Sequence, residues 1–206
     1  MKYRILCAKF ISVELYEVEF FILESAVYLD RILNTLSGSF DIYRPYRIGT
    51  REYPAYGYFF SMNERYVAVR KAQLWAVRTY EHILFIQTDR CDLNTVEEAR
   101  SLMEEYMEPE LVRKKEKYPE KDHMLSDVTV VILSDQTPDA QTVRAIEGFR
   151  FGRSYLFTFR GRSEGHLICV DLEREKVISN RITRQMLNLY SKNFDANKVR
   201  QKEEVV

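Results

Sequence analysis

The sequence predicts an α+β protein: a mixed sheet with an antiparallel three-stranded meander, a helix-strand-helix segment, and a C-terminal hairpin plus helix. Three observations carry this expectation. Between Tyr56 and Gln87, runs rich in Tyr, Phe, Val, Ile and Trp are broken by turn residues, the mark of consecutive strands. Val128 to Leu133 is an unbroken apolar run of strand length, as in a central strand covered on both faces. Apolar residues at spacings of three and four over Ile22–Leu36 and again over Val96–Met107 mark amphipathic helices.

Taken in order, Val13 to Phe20 alternates apolar and acidic residues with a slip at Tyr16, which suits a bulged strand or a poor helix equally. Ile22, Ala26, Leu29, Leu33 and Leu36 form one face of a helix that Ser37-Gly38-Ser39 ends. Arg44 to Pro54 is expected as a connecting loop. Strands are placed at Tyr56–Phe60, Tyr66–Tyr80 and His82–Gln87, with a turn at Met62-Asn63-Glu64. Asn94 and Glu97 read as a capping box, and Pro109 either kinks the helix that follows or starts a second. Arg113 to Asp122 is a charged exposed connector.

Beyond the central strand, Thr137 and Pro138 are expected as N-cap and first residue of a short helix ending at Gly148. Tyr155, Phe157 and Phe159 alternate as a strand, Gly161 to Gly165 turns, and Leu167 to Leu172 returns. Asn180 is the expected cap of a last helix with Ile182, Met186 and Leu189 inward. The chain divides into an appendage at residues 1–21, one domain at 22–194 and a charged tail at 195–206.

With 31 basic and 31 acidic residues in 206, no global charge draws the protein to nucleic acid or membrane. Hydrophobic residues at 46% exclude a disordered chain. Cys7, Cys91 and Cys169 are odd in number and widely spaced, which suits free thiols in a reducing cytoplasm. Glu14, Glu17 and Glu19 interrupt any signal-peptide core, and no stretch is long and apolar enough for a membrane span.

Motifs for chemistry are wanting. His82, His123 and His166 have no partner at ligand spacing, so no metal and no cofactor is expected. There is no activated cysteine context, no phosphate loop and no dinucleotide fingerprint. Asp171, Glu173 and Lys176 read as a strand end entering a solvated turn. The expectation is a protein without catalytic activity.

Charge is the one local anomaly. Between Arg144 and Arg162 five arginines face the single acid Glu147, a net of plus four. Between Arg44 and Tyr80 seven basic residues face Glu52 and Glu64, a net of plus five. Aromatics interleave both stretches, as bases and phosphates would require. Arg70, Lys71, Arg150, Arg153, Arg160 and Arg162 are therefore the candidate anion- or partner-binding residues. The competing expectation is that these cations sit on the wet face of strands and pair with acids from elsewhere. Either Arg70 or Lys71 faces inward and needs a carboxylate, with Glu81, Asp89 and Asp171 the candidates. Trp75, flanked by Leu74, Ala76 and Val77, is expected to be at least half buried.

The order helix, three strands, helix, strand from Ile22 to Leu133 resembles the core of the restriction-endonuclease-like superfamily, which holds Mg²⁺ with an acid on one strand and (D/E)-x-K on the next. That signature is missing: His82-Ile83 follow Glu81, Arg90-Cys91 follow Asp89, and Thr129 lies two places after Asp127. A second resemblance rests on Arg65-Tyr66-Val67, Arg70-Lys71-Ala72 and Leu74-Trp75-Ala76, with Phe40-Asp41-Ile42 before them. Downstream it includes Val170-Asp171-Leu172, Val177 and Asn180-Arg181. Over residues 28–194 the chain is similar to a family of small bacterial proteins of unknown function, which implies no site residues. The expected function is a non-catalytic cytoplasmic binding module for an unknown protein partner or a second copy. The alternative is a nucleic-acid-associated protein binding through stretches 44–80 and 144–162.

Overall fold

A computed structural model describes residues 25–64, 76–185 and 187–194. The appendage, the tail, Cys7, Met186, and the segment holding Arg70, Lys71 and Trp75 lie outside the described residues.

Helix α1 covers residues 25–36, and Tyr28, Leu29, Ile32, Leu33 and Leu36 form its buried stripe at helical spacing. Strands β1 (Asp41–Tyr43), β4 (Tyr56–Glu64) and β5 (Ala76–Arg90) make the antiparallel three-stranded meander. Its bounds differ from the sequence reading. β5 runs through Glu81 without a turn, so the strands expected either side of that residue are one. Arg44–Pro54 is more than a loop. It holds the hairpin β2 (Tyr46–Ile48) and β3 (Arg51–Tyr53), which turns at Gly49, where φ is +60°.

Helix α2 (Leu93–Ser101) starts two residues earlier than expected, because Asp92 rather than Asn94 is its cap. Asp92 Oδ1 accepts from Thr95 N at 2.8 Å, while Thr95 Oγ1 accepts in return from Asp92 N at 3.3 Å. The helix runs on through Pro109 as a π-helix, Leu102–Val112, where Arg113 N reaches back five residues to Glu108 O.

Strand β6 (His123–Gln136) lies parallel to both β5 and β8 (Arg162–Asp171), which is why its sequence is apolar without alternation. Helix α3 (Ala140–Gly148) is capped by Asp139, whose Oδ1 accepts from Thr142 N at 2.7 Å, two residues beyond the expected cap Thr137. The short strand β7 (Gly152–Ser154) and strand β9 (Lys176–Ser179) both pair antiparallel with the outer side of β8. The C-terminal hairpin is therefore β8–β9. Tyr155–Arg160 is a tight turn rather than a strand, with Leu156, Phe157 and Thr158 in the left-handed region. After a 3₁₀ turn (Arg181–Gln185), helix α4 covers 187–194 and turns Tyr190 and Phe194 inward. Ile182 is exposed, contrary to expectation, because Thr183 takes the inward place.

The sheet order is β1-β4-β5-β6-β8-β7. On one face Ile83, Phe85, Val131 and Ile168 pack against α1 and α4. On the other, Leu84, Val130, Ile132 and Leu167 pack against α2, the π-helix and α3. Leu84, Phe85, Ile86, Val130 and Ile132 are all buried, as the central-strand reading requires.

Candidate functional site

The alternation that buries Leu84 and Ile86 also turns His82 and Tyr80 to the π-helix face, beside Tyr56 and Tyr58 of β4 and Ser126 of β6. At this end of the sheet Tyr46 from the β2–β3 hairpin, Leu111 and Val112 from the end of the π-helix, and Lys114 just beyond it complete the lining. The result is a cleft of about 390 Å³ floored by tyrosines.

The rings hold one another. Tyr46 stacks on Tyr56 at 4.4 Å, and Tyr46 Oη meets Tyr106 Oη at 2.9 Å. His82 is only 3% exposed, and its Nδ1 lies 2.7 Å from Tyr56 Oη. Burial, with Lys114 and His123 adding like charge, lowers its pKa to about 4, so the imidazole is neutral at physiological pH. Burial raises Tyr46, Tyr56, Tyr58 and Tyr80 above the usual phenol value, and all four stay protonated.

The charges at the rim are already matched. Glu120 accepts from Tyr80 Oη, pairs with Arg78 at 2.5 Å and has Lys114 at 3.7 Å. The Tyr80 hydrogen bond, helped by the two cations, holds its carboxyl below the usual range. Glu110 pairs with Lys115 at 3.2 Å. Next to the cleft, His123 Nδ1 donates to Arg160 O and its Nε2 meets Ser126 Oγ, both at 2.8 Å.

Among the described residues the candidate arginines do not form one surface. Stretch 44–64 lies on the β1–β4 side and Arg150–Arg162 at the β7 edge, with β5 and β6 between. They approach each other at one place, where Arg160 donates to Pro119 O at 3.1 Å beside the Arg78–Glu120 pair. Arg153 reaches Glu108 at 2.7 Å, and Arg162 pairs with Glu164 at 2.6 Å. Arg150 is exposed, and its carbonyl accepts from Arg100. Arg44, Arg47 and Arg51 pair with Asp30, Glu52 and Glu98.

Three features escaped the sequence reading. Glu108 is wholly buried and is satisfied by Arg113, Arg153 and Tyr155. Asp127, Glu164 and His166 bring ligand atoms within 4.8 Å of one another from two neighbouring strands. Their one sequence signal was Glu164-x-His166, whose spacing puts both on one face of a strand. The cleft itself had no signal, because its tyrosines come from separate segments. Glu173 lies in the expected turn and accepts from Thr137 N at 2.7 Å, but Asp171, expected to be solvated, is buried, because its Oδ1 accepts from Thr137 Oγ1 at 3.2 Å and Arg174 N at 3.1 Å.

Fold and site together define an α+β domain on a mixed sheet with a tyrosine-lined cleft at one end of it. The chain belongs to the family described as Domain of unknown function (DUF8052), whose model matches residues 24–196. No curated protein and no solved structure matches it. Among the described residues no helix is long and apolar enough to cross a membrane.

Proposed function

We propose that the protein is a non-catalytic binding module whose tyrosine cleft takes a planar, uncharged aromatic small molecule. The observation that carries this is a concave site of ligand size with phenol walls, one neutral histidine and rim charges matched among themselves. A cation would find Glu110 and Glu120 already paired, and an anion would find Lys114 beside Glu120. A flat ring gains stacking area without disturbing either pair. The setting proposed is a reducing bacterial cytoplasm, and the free thiols Cys91 and Cys169, both buried, support the reducing part.

Saturation-transfer NMR with indole, choline and benzoate tests the reading. Indole signals should respond and should be lost in Tyr58→Ala and Tyr46→Ala. A stronger response from choline or benzoate, or indole binding indifferent to both variants, would reject it.

A second reading has its own observation. The left-handed turn displays Phe157 and Phe159, 93% and 87% exposed, between Arg153 and Arg162. Such an array supports base stacking on single-stranded nucleic acid. Steeply salt-dependent retention on single-stranded DNA, lost in Phe157→Ala/Phe159→Ala, would favour it.

A further inference from the structure

On the opposite face of the sheet from the tyrosine cleft, three carboxylates stand in a row across three adjacent strands. Glu81 of β5 is in register with Asp127 of β6, and Asp127 with Glu164 of β8. His166 follows two residues after Glu164, on the same face.

A chain of hydrogen bonds places a proton on His166 Nδ1. Asn180, fully buried, donates through Nδ2 to Gly165 O at 2.9 Å and Phe149 O at 3.4 Å. Its Oδ1 accepts from Leu167 N at 3.2 Å and from the Thr183 hydroxyl. With its one proton given to Asn180, Thr183 Oγ1 can only accept from His166 Nδ1, 3.1 Å away. The proton is therefore on Nδ1, and Nε2 faces Asp127 Oδ1 at 3.2 Å.

If Nε2 carries no proton, its lone pair points at a carboxylate oxygen, and the pair is repulsive without a cation between them. An imidazolium would give its two N–H groups to Thr183 and Asp127 and leave the other polar atoms here without a partner. Glu81 Oε1 is buried without a hydrogen-bond partner. Thr129 Oγ1, fully buried at the register position of His166, also has none. The Tyr190 hydroxyl is enclosed, unpartnered and within electrostatic reach of Glu81. Orphaned polar atoms of this number around three carboxylates call for a ligand with more than one positive charge and a hydration shell of its own.

We propose that Asp127, Glu164 and His166 form a binding site for a divalent transition-metal ion, with Glu81 facing its open side. One imidazole nitrogen with carboxylate oxygens suits Zn²⁺, and Mn²⁺ more weakly. Asn180 and Thr183 then act as positioning residues that aim the Nε2 lone pair. Arg162 holds Glu164 Oε1 at 2.6 Å, and the second carboxylate oxygen is left for the metal.

The test is calorimetric titration of the chelator-treated full chain with Zn²⁺. One equivalent should bind, with affinity falling more than tenfold in His166→Gln and Asp127→Asn and about tenfold in Thr183→Val. Glu147→Gln, at an exposed position on α3, should bind as the wild type does. Should the ligand variants not fold, the ring nitrogens of His166 in the wild type are followed by ¹⁵N NMR. Zn²⁺ should then shift Nε2 far more than Nδ1. Absence of saturable binding, binding indifferent to His166→Gln and Asp127→Asn, or an unshifted Nε2 would overturn the proposal.

Discussion

Replacing Glu108 by glutamine removes the charge at the centre of the most deeply buried ion cluster described. The carboxylate accepts from Arg113 Nε at 2.7 Å and Nη2 at 3.2 Å, from Arg153 Nη1 at 2.7 Å and from Tyr155 Oη at 2.8 Å. Breaking a buried pair by removing one partner costs about 3–5 kcal/mol. The guanidinium groups soften the loss, since the Arg113 side chain is 21% exposed and Arg153 50%, and both can turn towards water. Glu108→Gln should therefore lose about 3 kcal/mol, the lower end of that range. Arg153→Gln leaves Glu108 its two-point contact with Arg113, and being half exposed should lose only about 1 kcal/mol. Urea unfolding followed by circular dichroism measures both, read at unchanged m-value. If Glu108→Gln falls within 1 kcal/mol of wild type, or Arg153→Gln costs as much as Glu108→Gln, the cluster does not stabilise the fold in the way its geometry implies.

Other outcomes follow from single positions. His82 has a folded pKa of about 4 against 6.5 unfolded, so the unfolded state binds more protons between those values. Its contribution is complete above about pH 6.5 and falls by roughly 3 kcal/mol towards pH 4, and His82→Gln should flatten that part of the stability profile. Gly161 has φ of +74°, and a Cβ there would clash with the Met124 carbonyl oxygen, so Gly161→Ala should lose about 2 kcal/mol or more in thermal or urea melts. Val131 is fully buried in the central strand, and Val131→Asp should abolish soluble, cooperatively melting protein at a cost of roughly 3 kcal/mol or more.

What could be read from the sequence was whatever periodicity encodes. Leu29, Leu33 and Leu36 of α1 and the apolar run of β6 repeat at the spacing their packing demands and stand buried where expected. Glu81 misled because a charge within an apolar run imitates a turn. In the fold it stays in a strand because its backbone is paired on both sides, with Phe59 of β4 and Asp127 of β6. Helix starts were displaced by two residues because several capping side chains stood in a row, and only backbone geometry selects Asp92 and Asp139. The aromatic alternation from Tyr155 to Phe159 suits a strand, yet three successive left-handed residues fold it into a turn. The sites were least legible. Tyr46, Tyr58 and Tyr80 meet only once β4, β5 and the hairpin are paired, and a spacing rule within one segment cannot anticipate that.

The central claim is that the tyrosine cleft is where this protein binds its ligand. Ring-selective ¹H–¹³C NMR of the tyrosines, phenylalanines and histidines during titration with indole tests it most directly. The account predicts saturable shifts at His82, Tyr46, Tyr56 and Tyr58, with His166 on the opposite face unmoved. Shifts confined to Phe157, Phe159 and the arginine-bearing edge, or no saturable shift at the cleft, would contradict it.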